Sequence, residues 1–110
     1  MERKPFTNKN IINELRKNSS ILKKYKVRKI GLFGSYMGGE QKNRSDVDIL
    51  VEFDDKAFGK NLDGYFDNYI ELLSSLRKIF GRKTDLLTFE MISPYIKPHV
   101  LKEIEYVEGY

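Results

Sequence analysis

Residues 46–53 form a short segment in which two aspartates alternate with apolar side chains. Asp46 and Asp48 are separated by a single residue. In a β-strand alternate side chains share a face and rise about 3.3 Å per residue, so these carboxylates project together, roughly 6.6 Å apart at Cα. The opposite face of the strand is predicted to be buried, and its apolar positions are Val47, Ile49, Val51 and Phe53.

A glycine-rich stretch, GSYMGG, begins at Gly34 and Ser35, shortly before this strand. Glycine lets the backbone approach a bound phosphate closely, and the backbone N–H groups and the serine hydroxyl can bind its oxygens. Hard cations such as Mg²⁺ prefer oxygen ligands, which the two aspartates supply. The combination indicates a site for a nucleoside triphosphate with Mg²⁺. The structural alternative is an exposed strand whose aspartates only serve a turn.

Asp85 is the candidate for a third carboxylate at this site. It lies in the β-prone run TDLLT, which follows a helix stop at Gly81. Three carboxylates packed together repel one another unless a cation is bound, and two ions about 3.5–4 Å apart could activate a hydroxyl and stabilise a leaving oxygen. This interpretation requires the Asp85 strand to pair beside the Asp46–Asp48 strand. A turn aspartate at the start of a strand is the alternative.

The motifs GS, SDVD, the later Asp85 and the closing run ISPYIKP resemble the minimal nucleotidyltransferases of the DNA polymerase beta superfamily. The resemblance extends from about Ile30 to Val107. It implies an α/β (α+β) domain with the polymerase-beta-like nucleotidyltransferase fold, a small mixed β-sheet flanked by helices. It also implies the roles of individual residues. Asp46, Asp48 and Asp85 would be the catalytic metal ligands, while Gly34 and Ser35 would hold the nucleotide phosphates.

Small members of this family commonly form the antitoxin half of a module with an all-helical HEPN ribonuclease toxin. The resemblance therefore implies a hetero-oligomer in which AMP passes from ATP, with two Mg²⁺ ions, to a tyrosine hydroxyl of the toxin. At 110 residues the chain leaves little room to hold an acceptor of its own, which favours an acceptor carried by another protein. The alternative is a non-catalytic antitoxin that neutralises its partner by occlusion.

One position departs from the family pattern. The family usually has Gly-Ser-x-x-Arg-Gly, whereas this chain has Gly38 in place of the arginine. The missing guanidinium removes a phosphate contact or an anchor for the loop. Lys42 and Arg44, later in the same loop, are the candidates to supply the positive charge instead. Gly38 therefore favours the non-catalytic alternative, while the aspartates favour the enzyme.

Composition and charge exclude several classes of protein. The length predicts a single domain, residues 1–110. Cysteine is absent, and no apolar run reaches the length of a membrane span, so a cytoplasmic protein is expected. Residues 1–44 carry 12 Lys and Arg against 3 acidic residues, and residues 45–110 carry 8 against 13. The basic cluster at 23–29 could attract nucleic acid or an acidic partner, but a solvated helix end and strand edge is the favoured interpretation, so direct nucleic-acid binding is not expected.

Hydrophobic periodicity predicts four helical segments around two strands and the Asp85 strand. His99, the only histidine, is expected at the surface or at a helix cap rather than in catalysis. Apolar side chains spaced three and four residues apart run through the long helix and include Tyr65, Phe66 and Tyr69. The Tyr65–Tyr69 stripe is expected in the core or at a partner interface rather than as a platform for base stacking. The predicted elements are a helix from 7 or 8 to about 18, a turn or short helix at 21–25, strands at 27–33 and 46–53, and helices at 62–80 and 95–104.

Overall fold

The computed structural model describes residues 8–33, 47–59 and 63–107. Among these residues no helix is long and apolar enough to cross a bilayer. The helices are α1 (Asn8–Lys17), α2 (Ser19–Lys24), α3 (Tyr65–Phe80) and α4 (Lys97–Glu103), with short 3-10 turns at Asp55–Phe58 and Phe89–Met91. The strands are β1 (Val27–Phe33), β2 (Val47–Phe53), β3 (Thr84–Thr88) and β4 (Glu105–Tyr106).

The strands form one mixed sheet of four strands in the order β3-β2-β1-β4. β1 runs antiparallel to both β2 and β4, while β2 and β3 are parallel. Parallel neighbours need a crossover connection, and α3 lies in that connection. The predicted small mixed sheet flanked by helices is confirmed.

The main core lies between the sheet and the first three helices. Ile11 and Leu15 of α1, Leu22 of α2, and Leu72 and Leu76 of α3 are fully buried. From the sheet, the apolar side of β2 predicted by the alternation is buried, because its side chains face these helices. Those residues are Val47, Ile49, Val51 and Phe53.

A second, smaller core lies on the opposite face of the sheet, which the sequence analysis did not anticipate. Leu50 shares this face with Asp48 and is buried against Ile92 and Val100. Phe33, Leu87 and Ile104 are partly buried around them. The sheet is therefore covered on both faces, by α1–α3 on one and by α4 and the segment before it on the other.

The predicted start of α3 is wrong. The helix begins at Tyr65 instead of residue 62, because Gly64 has a left-handed backbone with φ of 76° and cannot lie inside a right-handed helix. Phe66, one of the apolar positions in the predicted spacing, is 71% exposed and does not belong to the core. At the other end the prediction is confirmed, since Gly81 adopts φ of 62° and its N–H bonds to the carbonyl of Arg77.

The C-terminal elements also differ from the prediction. α4 begins at Lys97 rather than residue 95 and ends at Glu103. The chain then pairs as the two-residue strand β4 beside β1, at Gly31 and Leu32. So short a strand has no periodicity for sequence analysis to detect.

Candidate active site

Asp48 and Asp85 lie opposite each other on the neighbouring parallel strands β2 and β3. Neighbouring strands are about 4.8 Å apart, and residues in register project to the same face of the sheet. Both aspartates are half-buried. The register thus brings together two of the three predicted carboxylates, although they are far apart in the sequence.

The end of β1 adjoins the same point of the sheet. Phe33, the last residue of β1, pairs with Asp48, and Gly34 follows Phe33 directly in the sequence. Asp46 likewise precedes the first residue of β2. The other predicted site residues lie outside the described residues: Gly34, Ser35, Lys42, Arg44 and Asp46, together with Gly38.

Buried neighbours fix the register of the two aspartates. Val47 and Ile49 flank Asp48 and are fully buried, and Leu86, next to Asp85, is 2% exposed. At the start of the pair, the Val47 N–H donates to the carbonyl of Lys83 at 3.0 Å. Each carboxylate is therefore carried by a strand whose opposite face is held in the main core.

The outer edge of β3 is bound by side chains of α3. The Tyr69 hydroxyl donates to the carbonyl of Leu86, and Arg77 Nε donates to the carbonyl of Thr84 at 3.2 Å. These two carbonyls flank Asp85 in the sequence. Sequence reasoning assigned Tyr69 to the core or an interface and missed this role, because a bond to a backbone carbonyl leaves no pattern in the sequence.

Tyr69 also lies in the electrostatic field of the site. Its pKa is raised above the ordinary value, first by burial of the hydroxyl and second by the negative charge of Asp85, while Arg77 opposes the shift. His99, in contrast, is exposed on α4, as expected. Tyr69 is thus an additional residue beside the carboxylate pair.

The donor set fits a hard divalent cation. Two facing carboxylates offer oxygen ligands, and Mg²⁺ is usually bound by one or two carboxylates with water and substrate phosphates completing its shell. Among residues 8–33, 47–59 and 63–107, no group of three His, Cys, Asp or Glu side chains lies together. Within that part of the chain the site is therefore a pair, and Asp46 lies outside it.

This fold and carboxylate pair define a polymerase-beta-type nucleotidyltransferase domain. Residues 9–107 match the family described as polymerase beta, nucleotidyltransferase, and the chain belongs to that family of enzymes. A protein of Methanocaldococcus jannaschii named as a protein adenylyltransferase is 47% identical over 95 residues, covering 84% of this chain and 90% of that protein. Protein adenylyltransferase MntA of Thermococcus cleftensis is 38% identical over 84 residues, covering 76% and 78%.

Solved structures agree on the fold. A minimal nucleotidyltransferase superposes with a TM-score of 0.71 at 21% identity, covering 90% of this chain and 94% of that one. A toxin–antitoxin complex with AMP-PNP gives 0.64 at 27% identity, covering 90% and 73%. A complex of a tri-AMPylated Shewanella oneidensis HEPN toxin with its MNT antitoxin gives 0.58 at 22% identity, covering 91% and 73%.

Proposed function

We propose that this chain transfers AMP from ATP to a tyrosine hydroxyl of a partner HEPN ribonuclease toxin, and is thereby its antitoxin. The observation that carries the proposal is the pairing of Asp48 with Asp85 across parallel strands in a nucleotidyltransferase domain. Further support comes from relatives named as protein adenylyltransferases and from the toxin–antitoxin complex with AMP-PNP. Because its target is a ribonuclease, the chain would act in the cytoplasm.

In this proposal Asp48 and Asp85, with Asp46, hold two Mg²⁺ ions. When bound, the metal would neutralise phosphate charge and favour attack by a hydroxyl on the α-phosphate with loss of pyrophosphate. The rigid strands keep the carboxylates in place without reorganisation during the reaction, which is what electrostatic stabilisation requires. Tyr69 and Arg77 hold the edge of β3 and so keep Asp85 opposite Asp48.

The loop residues complete the proposed nucleotide site. Gly34 would let the backbone approach the phosphates, and the Ser35 hydroxyl would bind one of them. Lys42 and Arg44 would supply the positive charge that the family places at the position of Gly38. A charge-assisted contact of this kind contributes about 1.5–3 kcal/mol.

A second candidate function rests on Gly38. If the loop charge is not replaced, the chain neutralises its partner by covering it, without transferring AMP. The two functions differ in what the aspartates do, since occlusion has no need of a pair of metal-binding carboxylates. A variant without the pair separates them.

The test compares the chain with its Asp48→Asn/Asp85→Asn variant. Each is incubated with ATP, Mg²⁺ and the product of the neighbouring gene, and that partner is weighed by mass spectrometry. We expect the natural chain to add AMP and the variant to lose at least about a hundredfold in rate, as when one stabilising group is removed from a transition state.

The matched control is Asp67→Asn, which removes an exposed carboxylate of α3 away from the site. It should transfer AMP at the natural rate, and melting curves should show that all three proteins are folded. If the double variant transfers AMP as fast as the natural chain, the mechanism is wrong. If neither modifies the partner but both inhibit its ribonuclease activity, occlusion is the function.

A further inference from the structure

A groove of about 770 Å³ lies at the carboxyl end of β2. Leu50 and Phe53 of β2 line it from opposite faces of the sheet. Phe89 and Met91, from the 3-10 turn after β3, and Leu101 of α4 line its sides. The groove is therefore formed mostly by apolar side chains from several separate segments of the fold.

The side chains around the groove are unusually exposed for their size. Met91 is 52% exposed, Leu101 49% and Phe89 40%. Tyr106 of β4 also lines the groove and is 39% exposed. Single exposed apolar residues are ordinary, but several around one concave surface are typical of a protein-binding site.

The described residues that line the groove include Glu52, Asp55 and Glu90 and no lysine or arginine, although the chain carries a net charge of +4. Two lysines outside the lining stand over its rings, with Lys97 Nζ 4.6 Å from the ring centroid of Phe89 and Lys29 Nζ 5.6 Å from that of Tyr106. Glu52 is paired with Arg28 at 3.8 Å. Within the described part of the chain, Asp55 and Glu90 have no such ion pair, and they are the carboxylates left to bind a cationic partner.

The Tyr65 hydroxyl lies in the electrostatic field of the carboxylates that line the groove. Its pKa is raised above the ordinary value by burial first, and then by the negative charges of Glu90 and Asp55. These two carboxylates come from different segments, the turn after β3 and the turn after β2. Their fields therefore converge on the groove. Around Tyr65 these two carboxylates would repel a triphosphate or a nucleic acid and attract a cationic surface.

We propose that this groove binds a basic amphipathic helix of a protein partner. Apolar side chains on one face of that helix would contact Phe89, Met91 and Leu101, which are exposed around the groove. Its flanking Lys or Arg side chains would meet Asp55 and Glu90. Helices commonly dock in apolar grooves through anchors at positions i, i+3, i+4 and i+7. A second copy of this chain is a poor occupant, because its basic helix α1 has Ile11 and Leu15 buried in its own core.

The Leu50 side of the groove and the carboxylate pair share one face of the sheet, whereas Phe53 belongs to the main core on the other face. Asp48, Leu50 and Glu52 alternate along β2, so their side chains project to the same side, and Leu50 follows Asp48 by roughly 6.6 Å at Cα. A helix seated over Leu50 would bring neighbouring parts of its protein close to Asp48 and Asp85. This consequence for the acceptor, unlike the docking itself, rests on the proposed function.

The test uses two synthetic helical peptides of about 18 residues, with the same leucine face and with either lysines or glutamates beside it. Each is titrated into the isotope-labelled full chain while backbone amide resonances are followed by NMR. We expect the lysine peptide to shift resonances of Leu50, Phe89 and Leu101. It should bind at least about tenfold more tightly than the glutamate peptide, and the difference should shrink in salt.

Three variants make the test specific. Asp55→Lys/Glu90→Lys should reverse the preference between the peptides. Asp67→Lys/Glu71→Lys makes the same change of charge at exposed positions of α3 outside the groove. This variant should keep the preference for the lysine peptide. Leu101→Ser should lower the affinity for both peptides, because it removes an apolar contact.

Each other outcome would overturn the proposal. If the resonances of the groove residues do not shift at about 1 mM lysine peptide, the groove is not a helix-binding surface. Equal reversal by both charge variants would mean that net charge alone attracts the peptide. Shifts that depend on the concentration of the chain without peptide would assign the groove to a second copy. Loss of AMP transfer has no part in this readout, so the two proposals fail separately.

Discussion

Asn68 is the clearest single-residue connection between distant parts of the fold. It is buried in α3, and its Nδ2 donates to the carbonyl of Tyr25, 43 residues away, at 2.7 Å. Tyr25 caps the C-terminal end of α2, just before β1 begins. A buried polar group is costly unless it is bonded, so this asparagine contributes stability only while both partners stay in place.

We predict that Asn68→Ala lowers the free energy of unfolding by about 1–3 kcal/mol, the cost of leaving a buried carbonyl without its donor. Urea titration followed by circular dichroism measures it. Asn13→Ala, at an exposed position of α1, is the control and should change stability by less than about 0.5 kcal/mol. Equal effects of the two substitutions would show that the bond to Tyr25 contributes nothing.

Tyr69 gives the fold a dependence on alkaline pH. Its pKa in the folded chain is raised above 10.0, mainly by burial. Below pH 10.0 the Tyr69 hydroxyl is neutral, and its hydrogen bond to the carbonyl of Leu86 contributes fully to stability. As the pH rises through the pKa of the folded state, the proton is lost and its contribution to stability is lost with it.

We expect Tyr69→Phe to cost about 0.5–1.5 kcal/mol at pH about 8, the net value of one hydrogen bond. That deficit should shrink above pH about 10, because the natural chain then loses the same bond. Urea unfolding of both proteins across this range measures the difference. Tyr95→Phe, at a side chain that is 89% exposed, should match the natural chain at every pH. A deficit that grows with pH would contradict this account.

At the scale of elements, Gly31 permits the C-terminal segment to lie against β1. A Cβ at this position would meet two carbons of the Ile104 side chain at 2.8 Å and the carbonyl oxygen of Glu105 at 3.1 Å. Gly31 pairs with Tyr106 on one side and with Leu50 on the other. Because Gly31 has no side chain, β4 and the end of α4 can pack closely against the middle of the sheet.

We predict that Gly31→Ala destabilises the fold by about 1–3 kcal/mol, as expected for overpacking. A double-mutant cycle with Ile104→Ala tests the cause, since removing the Ile104 carbons makes room for the new methyl. The double variant should be more stable than the sum of the two single effects predicts. Additive effects would mean that the contact with Ile104 is not the source of the cost.

The sequence predicted those elements whose pattern reflects the main core. β1 was predicted with the bounds that the structure has, and alternation along β2 identified its buried face. The start of α3 was missed because apolar spacing continues through Gly64, whereas backbone conformation stops the helix there. β4 was missed because two residues form a strand only when a partner strand is already present.

The candidate site was predictable only where a local sequence pattern places a residue. Asp48 could be placed from the alternation within its own strand. Its pairing with Asp85 could be stated only as a condition, because strand order depends on how α3 packs, and no local pattern encodes that. Tyr69 and Arg77 escaped prediction because they bond to backbone carbonyls, which every residue possesses.

At the scale of the whole molecule, the parallel pairing of β2 with β3 makes the carboxylate geometry a property of the packing. If β3 slipped by one residue, Leu86 would stand opposite Asp48, and Asp85 would turn toward Leu72 and Leu76 in the main core. Such a slip inverts every side chain of a strand and buries a charge. The wrong register is therefore strongly destabilised relative to the observed one, which favours a single arrangement of Asp48 and Asp85 in the folded chain.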